Sequence, residues 1–203
     1  MKKILIFMPA ILWMTGMLAQ GNPDKTIANL KAVYQHGLNC SIKYATYAAK
    51  AKEEGYPQIA TLFSATSQSE TIHYKHAETA LEKLGIDMAI EIPSYKAKST
   101  SENLQDAIDE ETAKALNYPG YIASAKEENV MEAIRTFGWA SNTEKKHIDF
   151  YKTALDALKA KKLETLASFY WICPKCGNTF NEAVPQEKCP FCYTPREKYI
   201  KVM

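Results

Sequence analysis

The chain has 203 residues, 25 Lys+Arg against 23 Asp+Glu for a formal net charge of +2, and is 46% hydrophobic and 24% charged. This composition excludes a disordered or collagen-like chain. A near-neutral balance without a Lys/Arg cluster excludes nucleic acid as a partner, and the length allows one or two domains.

Residues 1–21 begin with Lys2 and Lys3, continue as the apolar run Ile4–Leu18 and end in Ala19, Gln20 and Gly21. A basic start, about fifteen apolar residues and small residues after them describe a secretory signal peptide. A spanning helix needs about twenty. The expectation is export, to the periplasm, with no membrane attachment after cleavage; an uncleaved anchor is the alternative. No lipobox cysteine is present.

From Ile27 to about Leu163 the apolar period is helical. The first stripe is Ile27, Leu30, Tyr34, Gly37, Ser41, Tyr44, Ala48 and Ala51. The second runs from Ile59 through Phe63, Glu70 and His73 to Leu84, the third from Leu104 through Glu111 and Tyr118 to Ile122. The fourth runs from Ala133 through Phe137, Glu144 and Tyr151 to Leu158. Steps of three and four keep each set on one helix face. Gly55-Tyr56-Pro57 and Glu128-Asn129 separate the helices within each pair, and Gly85 to Ser101 is a long crossover. Two hairpins joined in this way make a mainly α chain with a ferritin-like four-helix bundle over 22–165.

A shift of 74 residues lays the chain on itself without a gap. Tyr44 falls on Tyr118, Ala51-Lys52-Glu53-Glu54 on Ala125-Lys126-Glu127-Glu128, Phe63 on Phe137, Glu70 on Glu144 and His73 on His147. The bundle is therefore a duplicated helical hairpin. Residues three apart share a helix face, so each Glu-x-x-His pair can offer a carboxylate and an imidazole to one ion. Two pairs plus a Glu from each remaining helix would make a two-metal carboxylate site. The repeat also exposes a gap, because Glu111 of the third helix falls on Gly37. Lys114 falls on Cys40, whose simplest reading is a small buried apolar residue.

Over residues 166–203, Cys173-Pro-Lys-Cys176 is followed by Cys189-Pro-Phe-Cys192. Two Cys-x-x-Cys turns aim four thiolates at one tetrahedral ion, iron or zinc. So short a segment needs such a cross-link in place of a large core. Two disulfides are the alternative in an exported chain.

With these motifs in view, the chain resembles the rubrerythrin family over residues 26 to 200. Ala51-Lys-Glu-Glu-Gly-Tyr56, Glu70-Thr-Ile-His73, Glu144-Lys-Lys-His147 and Trp171-Ile-Cys-Pro-Lys-Cys-Gly177 carry the resemblance. It implies a di-iron bundle followed by a small rubredoxin-like β/loop domain. It further implies peroxide or oxygen reduction, an external electron donor, and a homodimer with the rubredoxin-like domain of one subunit near the bundle of another. Glu70, His73, Glu111, Glu144 and His147 match the family's di-iron ligands, and Tyr44 and Tyr118 its tyrosines beside the irons.

The chain departs from that pattern at Gly37, at Lys114 where the family has a second Glu, at a third-helix spacing one residue shorter, and at Tyr193 where a knuckle glycine is usual. The shorter spacing predicts a plain third helix without a π-bulge. If Lys114 points inward, its charge against those of Glu70, Glu111 and Glu144 leaves two negative charges, which balance one divalent ion. Two functions follow. One is an exported peroxidase or oxidase with an altered site. The other is a metal-binding or electron-transfer protein with one bundle metal or none. On the first reading Gly37→Glu should restore the missing ligand and stabilise the helix.

Overall fold

The computed structural model describes residues 22–89 and 91–203, and the expected signal segment 1–21 lies outside the described residues. Four helices, α1 (Asp24–Glu53), α2 (Pro57–Lys83), α3 (Thr100–Glu127) and α4 (Met131–Ala160), form a bundle of two hairpins, α1 on α2 and α3 on α4. After a short 3₁₀ turn come β1 (Tyr170–Ile172), β2 (Thr179–Phe180) and β3 (Ile200–Val202), an antiparallel sheet in the order β2-β1-β3.

The duplication reaches into the helix ends. Gly55 (φ 83°) and Asn129 (φ 57°), equivalent in the repeat, stop α1 and α3 in left-handed conformations. Tyr56 N donates to Ala51 O at 2.8 Å and Val130 N to Ala125 O at 2.9 Å, the six-to-one bond of a Schellman turn. The adjoining Glu54 and Glu128 then cap the opposite hairpin. Glu54 accepts from Thr100 N at 2.9 Å at the start of α3, and Glu128 from Thr26 N at 2.7 Å at the start of α1. Each carboxylate satisfies a backbone donor that its helix leaves orphaned and sits at the positive end of the helix dipole. Ser99 and Glu102 add a capping box to α3.

Two apolar clusters fill the bundle. One holds Tyr44, Phe63, Tyr151 and Leu104, with the ring centroids of these three aromatics 5.3–6.1 Å apart. The other holds Leu30, Tyr34, Leu81, Ala133 and Phe137. Between them lies a buried polar layer formed by α2 near 70–73, α3 near 111–114 and α4 near 144–147. As the shorter spacing predicts, α3 is α-helical throughout. No helix among the described residues is long and apolar enough to cross a membrane.

Candidate metal centres

The polar layer gathers the five bundle residues that the sequence offers as metal ligands. Oxygen atoms of Glu70, Glu111 and Glu144 and a ring nitrogen of His147 lie within 4.8 Å of one another, all buried. His73 Nδ1 is 3.8 Å from Glu70 Oε1 and from Glu144 Oε1, and His147 Nδ1 is 3.9 Å from Glu70 Oε1. Both imidazoles thus aim Nδ1 at the carboxylates, His73 at its i−3 neighbour Glu70 and His147 across the bundle at the same residue. Tyr44 Oη donates to Glu111 Oε1 at 2.6 Å and Tyr118 Oη to Glu144 Oε1 at 3.3 Å.

Lys114 points inward and reaches the middle of this set. Its Nζ is 3.1 Å from Glu70 Oε1, Glu111 Oε2 and Glu144 Oε2, with the side chain 7% exposed. Burial opposes the ammonium charge, but the surrounding anionic groups, Glu111 and Glu70 among them, hold the proton on. Burial by itself would raise the carboxyl of Glu70, yet the Lys114 ammonium overrides it and pulls the value down to about 2. For Glu111 burial prevails and pushes the carboxyl up to about 7, because one ammonium cannot neutralise three carboxylates. Burial lowers His147 to about 3, so its ring is neutral.

Gly37 has a steric explanation. A Cβ there would stand 2.9 Å from Tyr74 Cβ and 3.4 Å from Glu70 O, so α1 and α2 approach too closely for a side chain. The expectation that Gly37→Glu would restore a ligand and stabilise α1 is thereby corrected. The carboxylate would first have to force two helices apart. Neither neighbour moves in. His36 is half-exposed and pairs with Glu110 at 3.8 Å, and Cys40 is fully buried with its thiol value raised by burial, which suits an inert packing residue.

The four C-terminal cysteines are free thiols, their sulfurs within 4.8 Å of one another. Cys173 Sγ is 3.4 Å from Cys192 Sγ, and Cys176 Sγ 3.5 Å from Cys189 Sγ. Metal–sulfur bonds of about 2.3 Å in a tetrahedron put sulfurs about 3.8 Å apart, so the set fits one ion. The two knuckles mirror each other: Gly177 N donates to Cys173 O at 3.0 Å and Tyr193 N to Cys189 O at 2.9 Å. Gly177 (φ 78°) and Tyr193 (φ 59°) are both left-handed, so Tyr193 does occupy a position that favours glycine.

The cysteine knuckle lies directly on the bundle layer, a juxtaposition with no signal in the sequence. Ser69 Oγ donates to Gly177 O at 2.7 Å, His147 Nε2 hydrogen-bonds Thr179 Oγ1 at 3.0 Å, and Lys146 Nζ donates to Thr179 O and Asn178 Oδ1 at 3.0 Å. A Cβ on Gly177 would be 2.5 Å from His73 Nε2. The outer edges of both imidazoles therefore face residues 177–179 of the same chain. Nothing about Ser69, Lys146 or Thr179 marks them in isolation, because each earns its place only through long-range docking.

Comparison with known proteins agrees with this architecture. The family model described as Rubrerythrin matches residues 40–155. Rubrerythrin-2 of Clostridium acetobutylicum is 31% identical over 173 residues, covering 84% of this chain and 92% of that protein. Nigerythrin of Nitratidesulfovibrio vulgaris is 32% identical over 177 residues, covering 86% and 85%. The solved structure of fully reduced, all-ferrous nigerythrin superposes with a TM-score of 0.74 over 87% of this chain and 86% of that one. A bacterioferritin from Desulfovibrio desulfuricans, at 16% identity and a TM-score of 0.65, shares the ferritin-like fold. The chain belongs to the rubrerythrin family, whose members bind iron, with a Glu/His bundle site and a four-cysteine rubredoxin-like site that make it an iron oxidoreductase.

Proposed function

We propose that this family member is exported and reduces hydrogen peroxide, or oxygen, in its bundle with electrons that an external donor supplies through the four-cysteine iron. The observation that carries the reading is the contact of the cysteine knuckle with His73 and His147, through Gly177 and Thr179. Iron at the two centres would supply the one-electron changes, and Glu70, His73, Glu111, Glu144 and His147 are the residues to hold it in the bundle. Their chemistry fits: carboxylates and imidazoles suit iron, and His73 Nδ1 and His147 Nδ1 are buried without a hydrogen-bond partner beside three carboxylates whose one cationic neighbour is Lys114.

The chain's own residues set protons and orientation. For His147 Nδ1 to offer a lone pair inward, Nε2 must carry the proton and donate it to Thr179 Oγ1, so the cysteine domain fixes the tautomer. Tyr44 and Tyr118 keep their protons, since burial raises both phenols, and each donates to a carboxylate. Reduction of peroxide to two waters consumes two electrons and two protons, and these hydroxyls are donors at the site. In a stopped-flow test on reduced protein, peroxide should restore the visible absorption of the oxidised four-cysteine iron. Thr179→Val and Glu111→Gln should slow that recovery, and equal rates in all three proteins would sink the reading.

Export rests on Lys2, Lys3 and the apolar run to Leu18; mass spectrometry should find a mature N-terminus between Gln20 and Asn22. A homodimer is proposed as the working unit, checked by sedimentation. A second reading is favoured by Lys114, whose ammonium meets three of the carboxylates an iron pair would need. On that reading the bundle holds one metal or none and peroxide turnover is low.

A further inference from the structure

Lys146, on α4 beside His147, is half-buried, and its Nζ stands over the ring of Phe180 at 4.5 Å. It donates to two neutral acceptors at 3.0 Å, Asn178 Oδ1 and Thr179 O. Burial opposes the ammonium charge, while Glu182, Cys189 and Cys176 support it. An ammonium drawn partly out of water costs free energy, and an apolar side chain could cover Phe180 at less cost. Packing alone therefore does not explain a lysine here.

The contact beyond Asn178 does. Asn178 is fully buried. An ammonium only donates, so the amide oxygen must face Lys146, and this fixes Nδ2 toward Cys189 Sγ, to which it donates at 3.7 Å. Ammonium, amide and thiol sulfur thus stand in one chain, and hydrogen bonds in a chain polarise one another. The Lys146 charge makes Asn178 a stronger donor to the sulfur. Iron(III) in four thiolates carries one net negative charge; one electron from the external donor, which is oxidised by that electron, gives iron(II) and a net charge of two negatives. A donor aimed at a ligating sulfur, with a positive charge behind it, favours the more negative state, and hydrogen bonds to sulfur and net charge set the potential of such centres.

We propose that Lys146 is a positioning residue of the four-cysteine centre, raising its reduction potential by orienting and polarising the Asn178 amide that donates to Cys189. The same ammonium holds Thr179 O, while Thr179 Oγ1 meets His147 Nε2, so the tuning device is part of the contact between the two centres. The proposal rests on the reading of the four-cysteine iron as an electron carrier. The potential is measured without peroxide, so it stands or falls separately from peroxide turnover.

The full chain loaded with iron is poised with redox mediators, and the visible absorption of the oxidised four-cysteine iron gives the midpoint. At the wild-type midpoint, the reduced-to-oxidised ratio in Lys146→Met should be about tenfold lower, equivalent to about 59 mV for one electron. Asn178→Leu should lose about as much. Lys146→Arg keeps the charge and a donor and should stay within about threefold of the wild type. In the Asn178→Leu background, Lys146→Met should add less than about threefold, because its path to the sulfur is already cut. An unchanged midpoint in Lys146→Met, or a full tenfold loss that persists in the Asn178→Leu background, would overturn the proposal. An unchanged midpoint in Asn178→Leu would do so by itself, a test that stands even where Lys146→Met does not fold. A four-cysteine site without redox-active iron would sink the carrier reading and the proposal with it.

Discussion

The hairpins α1–α2 and α3–α4 descend from one unit, and they agree wherever the requirement is mechanical. Leu30 and Leu104, Phe63 and Phe137, and Ala51 and Ala125 are all fully buried at matching positions. The Schellman turns and the reciprocal glutamate caps also match. They differ at two positions one turn apart in the polar layer, where Gly37 is the counterpart of Glu111 and Cys40 that of Lys114. The symmetry of the scaffold has outlasted the symmetry of the site. A secondary trace of this loss is Tyr118: its equivalent Tyr44 bonds Glu111 on α3, whereas Tyr118, facing an α1 without a carboxylate, bonds Glu144 on α4.

The largest break in the comparison should come from the Lys114/Cys40 pair. Removing one member of a buried charge cluster strands its partners, at about 3–5 kcal/mol. Lys114→Met should lose that much in protein whose bundle is stripped of metal, measured by urea denaturation. Cys40→Ala removes one small buried apolar group and should lose about 1 kcal/mol, near the value of a methylene. Equal losses would mean that Lys114 does not serve as the counter-charge.

Gly37 offers the next contrast. Alanine is worth about 1 kcal/mol over glycine in a helix interior, and overpacking costs about 1–3 kcal/mol. With Tyr74 Cβ only 2.9 Å away, Gly37→Ala should be net destabilising by about 1–2 kcal/mol. Gly138 on α4 has open space at its Cβ position, so Gly138→Ala should gain stability. Thermal melts of the two variants should move in opposite directions, and a stabilised Gly37→Ala would show that α1 and α2 can part.

The tyrosines sharpen the site asymmetry on a smaller scale. A hydrogen bond to a charged group is worth about 1.5–3 kcal/mol at good geometry. Tyr44→Phe breaks a contact of 2.6 Å and should cost about 1.5 kcal/mol, whereas Tyr118→Phe breaks one of 3.3 Å and should cost about 0.5 kcal/mol.

Much of this contrast was legible in the sequence. The 3.6-residue period located four helices, and the 74-residue shift located the polar layer, because duplicated helices keep their inward faces. The two cysteine pairs located the second centre. What stayed hidden depends on distances that no local pattern encodes. Gly37 reads as a lost ligand until Tyr74, on another helix, is placed against it. Lys114 reads as an ordinary lysine with an uncertain direction until three carboxylates from α2, α3 and α4 surround it. Thr179 and Ser69 acquire meaning only when the cysteine domain docks on α2 and α4.

The smallest expected effect tests the part of the symmetry that survives. Hydrogen bonds, to Thr100 for Glu54 and to Thr26 for Glu128, hold both carboxyls below the ordinary range. A folded-state value below the unfolded one means that the anion favours the fold. This contribution is fully present above the unfolded value of about 4.3 and is lost as pH falls through the lower folded value. A cap of this kind is worth about 1 kcal/mol. Glutamine keeps one acceptor oxygen but no charge, so Glu54→Gln and Glu128→Gln should each lose somewhat less at pH 7. Glu128 also accepts from Lys25 N at 3.2 Å, whereas Glu54 makes a salt bridge to Lys50 at 3.5 Å that water screens. Glu128→Gln should therefore lose slightly more. Urea midpoints at pH 7 and at pH 3.5 make the comparison: each variant should trail the wild type at pH 7 and converge on it at the lower pH. A deficit that stays the same at both values would mean that the caps act through shape alone and that the helix dipole contributes nothing to them.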